Sequence, residues 1–301
     1  MTEPQPAPFD GALVVDKPEG WTSHDVVAKM RRIARTRRIG HLGTLDPIAT
    51  GVLPLLIGRA TRLAQFFTRN DKVYEAVIRF GFATGTYDRA GTPTTAETGM
   101  TLNTTELDRR LDRFRGTFLQ IPPPVSAKKI GGVPAYKLAR KQQPVELQPI
   151  EVTVHELVIL GVEGATARVR CHCSAGTYLR SIAHDIGAEL GCGAHLQELR
   201  RTASGDFILD RARPITELEQ LAADNRLGEA LLPMADLLPE FPSQIVDDVT
   251  ETRIQQGRDF AVSPFRSNRR AKYVKALSRH GDLLAIGELK LPNLCHPVVV
   301  L

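Results

Sequence analysis

Residues 40–51 read GHLGTLDPIATG, and Asp46 inside them is the one carboxylate between Asp25 and Asp71. The same interval carries nine cations: Lys29, Arg31, Arg32, Arg35, Arg37, Arg38, Arg59, Arg62 and Arg69. Charge concentrated in this way attracts a polyanion such as nucleic acid. An acid at the centre of that field repels phosphate, which points to contact with some other part of the ligand. An ionised carboxylate there has the chemistry of a nucleophile or a general base. Asp46 also has a purely structural reading, since an aspartate before proline is a good helix N-cap and Pro47 suits the first helical position. Gly40, Gly43 and Gly51 around it let another backbone come close.

A second local inconsistency lies in SAGTYLRSIAHDIGAELG. Leu179, Ile182, Ala183, Ile186 and Leu190 repeat there at helical spacing, behind Thr177 as a suitable cap. Arg180 then falls in the first turn, where the helix dipole disfavours a cation by about 0.3–1 kcal/mol. A buried carboxylate partner would offset that, and Asp46 is the obvious candidate. Tyr74 and Tyr178 are ordinarily packing aromatics, yet each offers a flat face to a base, worth about 1–3 kcal/mol per base stacked. His41 reads as a structural histidine or, within the basic field, as one more ring for stacking on nucleotides.

The elements that must hold these residues follow from hydrophobic period. GALVVD at 11–16 is a buried strand ending in the turn Lys17-Pro18-Glu19-Gly20, and a helix follows with Thr22 or Ser23 as cap and Val26, Met30 and Ile33 inward. VLPLLIGRATRLAQFF is apolar with helical character in its second half. KVYEAVIRFGF alternates as a strand with Tyr74, Ala76, Ile78 and Phe80 on one face. Residues 83–104 form a long Thr- and Gly-rich loop, and TELDRRLDRFRG a short helix. Residues 122–150 read as an extended basic arm. VTVHELVIL and ATARVRCHC are strands, the second with Val169, Cys171 and Cys173 on one side. The proline-spaced LPMADLLPEFP marks a boundary near residue 240, after which a β-hairpin and a closing strand form a small β-rich module over 243–301. A disordered tail of residues 1–9 precedes the main domain at 10–240.

The chain has 301 residues, 42% hydrophobic and 24% charged, as in a globular enzyme with a sizeable core. No apolar run approaches the ~20 residues of a membrane helix, and the first nine residues lack the pattern of a signal peptide, so a cytoplasmic location is expected. The four cysteines, at 171, 173, 192 and 295, include no CxxC pair, which argues against a disulfide framework or a zinc site. Two further acid-free basic stretches, 121–145 and 260–281, strengthen the nucleic-acid reading over a set of solvated faces.

Six blocks in order, KPEGWTS at 17–23, GHLGTLDPIATGVLP at 40–54, KVYEA at 72–76, PPPVSAKKIGGVPAYKLAR at 122–140, CSAGTYLRSIAHDIG at 173–187 and GCGAHLQELRRTASGDF at 191–207, closely resemble the TruB family of bacterial tRNA pseudouridine-55 synthases. The resemblance implies an α+β fold, with a mixed, mainly antiparallel central sheet flanked by helices and a C-terminal PUA-like RNA-binding module. It implies that Asp46 is the catalytic aspartate, Tyr74 the ring on the target uracil, and Arg180 the partner of the aspartate. Tyr178 and Leu199 would line the uridine pocket, His41 would stack within the opened T loop, and the turn at 18–20 would pack behind Tyr74. No cofactor, no metal and no obligate protein partner are implied, and a monomer acting on the T arm of tRNA is expected. The rival readings are a tRNA-folding chaperone without catalysis and the sister synthase that works in a guide-RNA complex. Leu42, where small or hydroxyl residues are common, is a minor departure.

Overall fold

The structure is a computed structural model that describes residues 9–125, 147–262 and 271–301, together with a short hairpin pairing Lys129–Ile130 with Val133–Pro134. Residues 1–8 of the expected N-terminal tail, most of the basic arm and part of the 260–281 stretch lie outside the described residues, while Phe9, the last residue of that tail, packs against the core.

One twisted sheet organises the larger part of the chain. Its main strands are β1 (Gly11–Lys17), β2 (Ala49–Ile57), β3 (Lys72–Phe80), β4 (Gly116–Gln120), β5 (Ile150–Glu163), β6 (Thr166–Cys173) and β7 (Ala194–Ser204). They lie in the spatial order β1-β2-β7-β3-β6-β5-β4. All these neighbours are antiparallel except β2 and β7, which run parallel. The late strand β7 is therefore inserted between two early ones, and it bears Leu199 opposite Ala49 of β2 and Ala76 of β3.

Helices α1 (Ser23–Ile33), α2 (Thr104–Leu111), α3 (Leu179–Glu189) and α4 (Ile215–Ala223) accompany this sheet. Val26 and Met30 of α1, Leu107 of α2, Ile182 and Ile186 of α3, and Leu218 of α4 share a core with Leu13, Val15, Leu53, Ile78 and Leu196 from the strands. Thr22 caps α1 in a reciprocal box. Its hydroxyl accepts from Asp25 N at 3.1 Å while the Asp25 carboxylate accepts from Thr22 N at 2.9 Å. Thr177 does not cap α3 as its position predicts. Its hydroxyl turns back to donate to Ser174 O at 3.0 Å, and Tyr178 takes the cap position with its backbone clamped by Gln120. The apolar stretch after Gly51 also divides as its pattern implies, into β2 and a 3-10 helix at Gly58–Phe67.

A second, five-stranded sheet begins at Ser243 and contains β8 (Tyr273–Leu277), β9 (Leu283–Leu291) and β10 (Leu294–Val300), with α5 (Asp248–Gln255) beside it. It does not hang free. Leu283, Ile286 and Val299 share a buried cluster with Val14, Val52, Leu56, Leu63 and Phe67 of the first unit. Lys275 spans the boundary, donating to Ala235 O at 2.8 Å and Leu237 O at 3.0 Å. Phe66 meets Phe241 and Tyr273 edge-on with centroids 5.5 and 5.2 Å away.

Candidate active site

The Asp46 corner is a turn and not a helix start. Ala49 N donates to Asp46 O at 3.0 Å, and the chain passes directly into β2. Asp then Pro at the first two positions suits a β-turn as well as a cap, and here the strand pairing that follows decides the outcome. The Asp46 side chain is thereby released from capping. Three braces hold the corner: Gly20 N donates to Pro47 O at 2.8 Å, and the buried Ser23 hydroxyl bonds both Leu45 O and Leu45 N, at 3.2 and 2.9 Å. The hydrogen bond of the 18–20 turn thus supports the aspartate's loop. Gly51, at φ +95°, lies so close to the backbone of Arg201 that any side chain there would collide with it.

Arg180 reaches the corner from the first turn of α3. Its Nη2 donates to Asp46 Oδ1 at 3.2 Å, while Nε stands 2.9 Å from Oδ2 without the alignment of a hydrogen bond. The same guanidinium donates to Thr86 O at 3.1 Å and Val125 O at 2.9 Å, and Nη1 lies 3.6 Å from Asp88 Oδ2. At 3% exposure, Arg180 is a buried cation between two carboxylates, which compensates its awkward place in the helix dipole. Asp88 is itself held by the Thr86 hydroxyl at 2.6 Å and Ala90 N at 3.0 Å. Burial pushes the Asp46 carboxyl above its usual range, Arg180 pulls it down, and Asp88 pushes it up.

Tyr74 lies inward on β3, and burial raises its phenol above the usual value while Arg201 acts in the opposite sense. Arg201 is 1% exposed and braces the Asp46 loop from beneath, donating to Val52 O at 2.7 Å and Gly43 O at 3.2 Å. Lys17 is equally enclosed, donating to Trp21 O at 2.6 Å and Pro18 O at 2.9 Å, and burial lowers its ammonium to about 8.

Asp46, Tyr74, Tyr178, Arg180 and Leu199 all line one cavity of about 510 Å³, with Lys72, Thr68 and Ser174 at its wall. Five of the six residues singled out from sequence therefore meet. His41 does not line this cavity; it sits half-buried on Ile39–His41, edge-on to His24 with ring centroids 5.8 Å apart. Asp88, Arg201 and Lys17 escaped notice. For two of them a signal existed, because Arg201 follows Leu199, and Lys17 follows Leu13 and Val15, at the period of two that turns a strand residue inward. Asp88 lies in a loop whose pattern carries no such signal.

The chain of a solved Cbf5-Nop10-Gar1 complex matches this fold with a TM-score of 0.72 and 26% identity over 96% of this chain and 84% of that one. A chain from an H/ACA RNP bound to a substrate RNA containing 2'-deoxyuridine matches at 0.70 with 24% identity over the same shares. The fold is thus that of a pseudouridine synthase. The family described as TruB family pseudouridylate synthase (N terminal domain) matches residues 31–179, and tRNA pseudouridylate synthase B C-terminal domain matches 180–239. The chain is 62% identical to tRNA pseudouridine synthase B of Solibacter usitatus over 97% of its length and all of that protein, and 39% identical to that of Geotalea uraniireducens over 95% and 93%. The chain belongs to the TruB family of pseudouridylate synthases.

Proposed function

We propose that this enzyme isomerises uridine 55 in the T loop of tRNA to pseudouridine, with the Asp46–Arg180 pair in the shared cavity as the observation that carries the reading. The reaction breaks the bond from ribose C1′ to uracil N1, turns the base, joins C1′ to C5 and releases the C5 proton while N1 takes one up, with no net redox change. The target base must leave its stack, which costs a few kcal/mol and is recovered by contacts in the pocket. Tyr74 offers its ring to the flipped uracil, and Tyr178 and Leu199 enclose it.

Ionised Asp46 starts either of two routes. It attacks C1′ and displaces uracil, or it removes the C2′ proton so that a glycal forms. A primary isotope effect with 2′-deuterated uridine belongs to the second route alone. The raised pKa of the Tyr74 phenol favours its action as a neutral relay for the C5 proton over action as a standing phenolate.

Residues 10–240 form the catalytic domain in this reading, and 243–301 a PUA-like module that adds affinity for tRNA. His41 stacks on nucleotides of the opened loop outside the cavity. The enzyme acts without cofactor or obligate protein partner, as a monomer, in the cytoplasm; no helix among the described residues is long and apolar enough to cross a membrane. The whole-chain identity to tRNA pseudouridine synthases B favours free tRNA over a guide-RNA complex as the setting. Incubation with an unmodified T-arm hairpin, followed by carbodiimide mapping, should place one pseudouridine at the T-loop position. An unmodified product would overturn the assignment and leave tRNA folding as the activity.

A further inference from the structure

On the face of the same sheet that His172 shares with Val73, opposite to Tyr74 and Cys171, three potential metal ligands converge from distant parts of the sequence. Asp71 precedes β3, His155 lies on β5 and His172 on β6, and one ligand atom of each lies within 4.8 Å of the others. His155 Nε2 is 3.1 Å and His172 Nε2 3.7 Å from Asp71 Oδ2. The two imidazoles are neighbours, 4.8 Å between centroids with 48° between planes.

The backbone explains why they meet. β5 pairs Val154 with Cys173 and Glu156 with His172, which leaves His155 as the extra residue of a β-bulge. A bulge re-aims the side chain it carries, here towards its cross-strand neighbour. Asp71 is fixed in turn by Gly205 N, which donates to its carbonyl at 2.9 Å.

We propose that Asp71, His155 and His172 form a binding site for a divalent transition-metal ion of the zinc type. Two neutral imidazoles and one carboxylate are a common zinc donor set, leaving a fourth position for water. Zinc–ligand bonds of ~2.0–2.1 Å in a tetrahedron put donor atoms about 3.3 Å apart, so the present spacings need only small side-chain rotations. The ion would clasp β3, β5 and β6 together on the solvent side of the sheet. It takes no part in the chemistry at Asp46, so the site stands or falls independently of the proposed reaction. The absence of a CxxC pair did not bear on it, because no sequence motif joins positions 71, 155 and 172.

The test uses tag-free, full-length protein stripped with EDTA, titrated with zinc chloride against a chromophoric chelator and followed by thermal melting. One zinc per chain should bind, and saturation should raise Tm. Outer-shell changes alone cost about 10- to 100-fold in metal affinity, so His155→Ala and His172→Ala should each lose at least about tenfold and the rise in Tm. His280→Ala, in the C-terminal unit, should keep both. Cobalt should give a tetrahedral visible spectrum in the wild type and not in His155→Ala. Absence of saturable binding, or equal binding by His155→Ala, would overturn the site. EDTA should leave single-turnover pseudouridine formation unchanged; a loss restored by zinc would overturn the separation of this site from catalysis.

Discussion

The Tyr87 ring lies flat on the His184 imidazole, with centroids 3.7 Å apart and 8° between the planes. Tyr87 has φ +65°, a left-handed conformation that costs a bulky residue on the order of 1–3 kcal/mol and persists only where packing enforces it. The stack on α3 supplies that packing. It also fixes the neighbours Thr86 and Asp88, which face Arg180.

Tyr87→Ala should therefore loosen the far side of the guanidinium while leaving tRNA affinity unchanged. An aromatic pair is worth about 0.5–1.5 kcal/mol, so the single-turnover rate at saturating RNA should fall roughly 2- to 10-fold. Tyr87→Phe, which keeps the stacked ring, should retain the wild-type rate. Equal rates for Tyr87→Ala and wild type would show that the stack has no bearing on Arg180.

Asp46→Asn should abolish pseudouridine formation yet bind tRNA as tightly as wild type or slightly tighter, because it removes a negative charge from a basic surface. Filter binding and single-turnover assays on one preparation separate the two effects. Turnover near wild type would remove Asp46 from its role.

Arg180 predicts a pH effect with a definite sign. Burial raises the Asp46 pKa and Arg180 opposes it, so removal of the cation shifts the folded enzyme's Asp46 pKa further up. In the proposed reaction the reactive form is ionised, hence the deficit of Arg180→Met should grow as pH falls. Arg180→Lys keeps the charge but loses the planar fork, and its rate should drop by a similar factor at all pH. An acidic limb in Arg180→Met that is merely scaled down would leave the residue a positional role only.

Truncation after Pro242 should lower Tm as well as tRNA affinity, since it strips Leu283, Ile286 and Val299 from a cluster they share with β1 and β2. The RNA contribution is better isolated with Arg269→Ala and Arg270→Ala. Each should weaken binding and flatten its log–log salt dependence by about 0.9 or less for every phosphate that is no longer neutralised. Tm and the saturated single-turnover rate should stay unchanged. A collapse of that rate with binding intact would make the module part of the active site.

Much of this molecule was legible in its sequence where a period had enough length to speak. The alternation of KVYEAVIRF turned Tyr74 inward, and the stripe from Leu179 to Ile186 put Arg180 into a first turn where it needed a carboxylate. What escaped was either non-local or locally ambiguous. Asp-Pro fits a helix cap and a β-turn equally, and only pairing of β2 with β1 and β7 chooses. Asp88 owes its place to backbone bonds between the 83–104 loop and Leu196, which local pattern does not announce. The packing of the second sheet on the first was hidden because the proline-spaced linker advertises separation while saying nothing of the apolar faces on either side.

The insertion of β7 between β2 and β3 has a consequence during synthesis. Asp46 arrives just before β2 and Tyr74 with β3, but these strands are joined only through β7, so nothing links them in the sheet until residues 194–204 leave the ribosome. Until then each presents an unpaired edge, and contacts so distant in sequence form slowly because a long loop must first close. A nascent chain shorter than about that length holds Asp46 and Tyr74 without the strand that brings them into one cavity. It is also the stage most open to misassembly with another unfinished chain, so pausing of translation between β6 and β7 should favour aggregation more than pausing after β7.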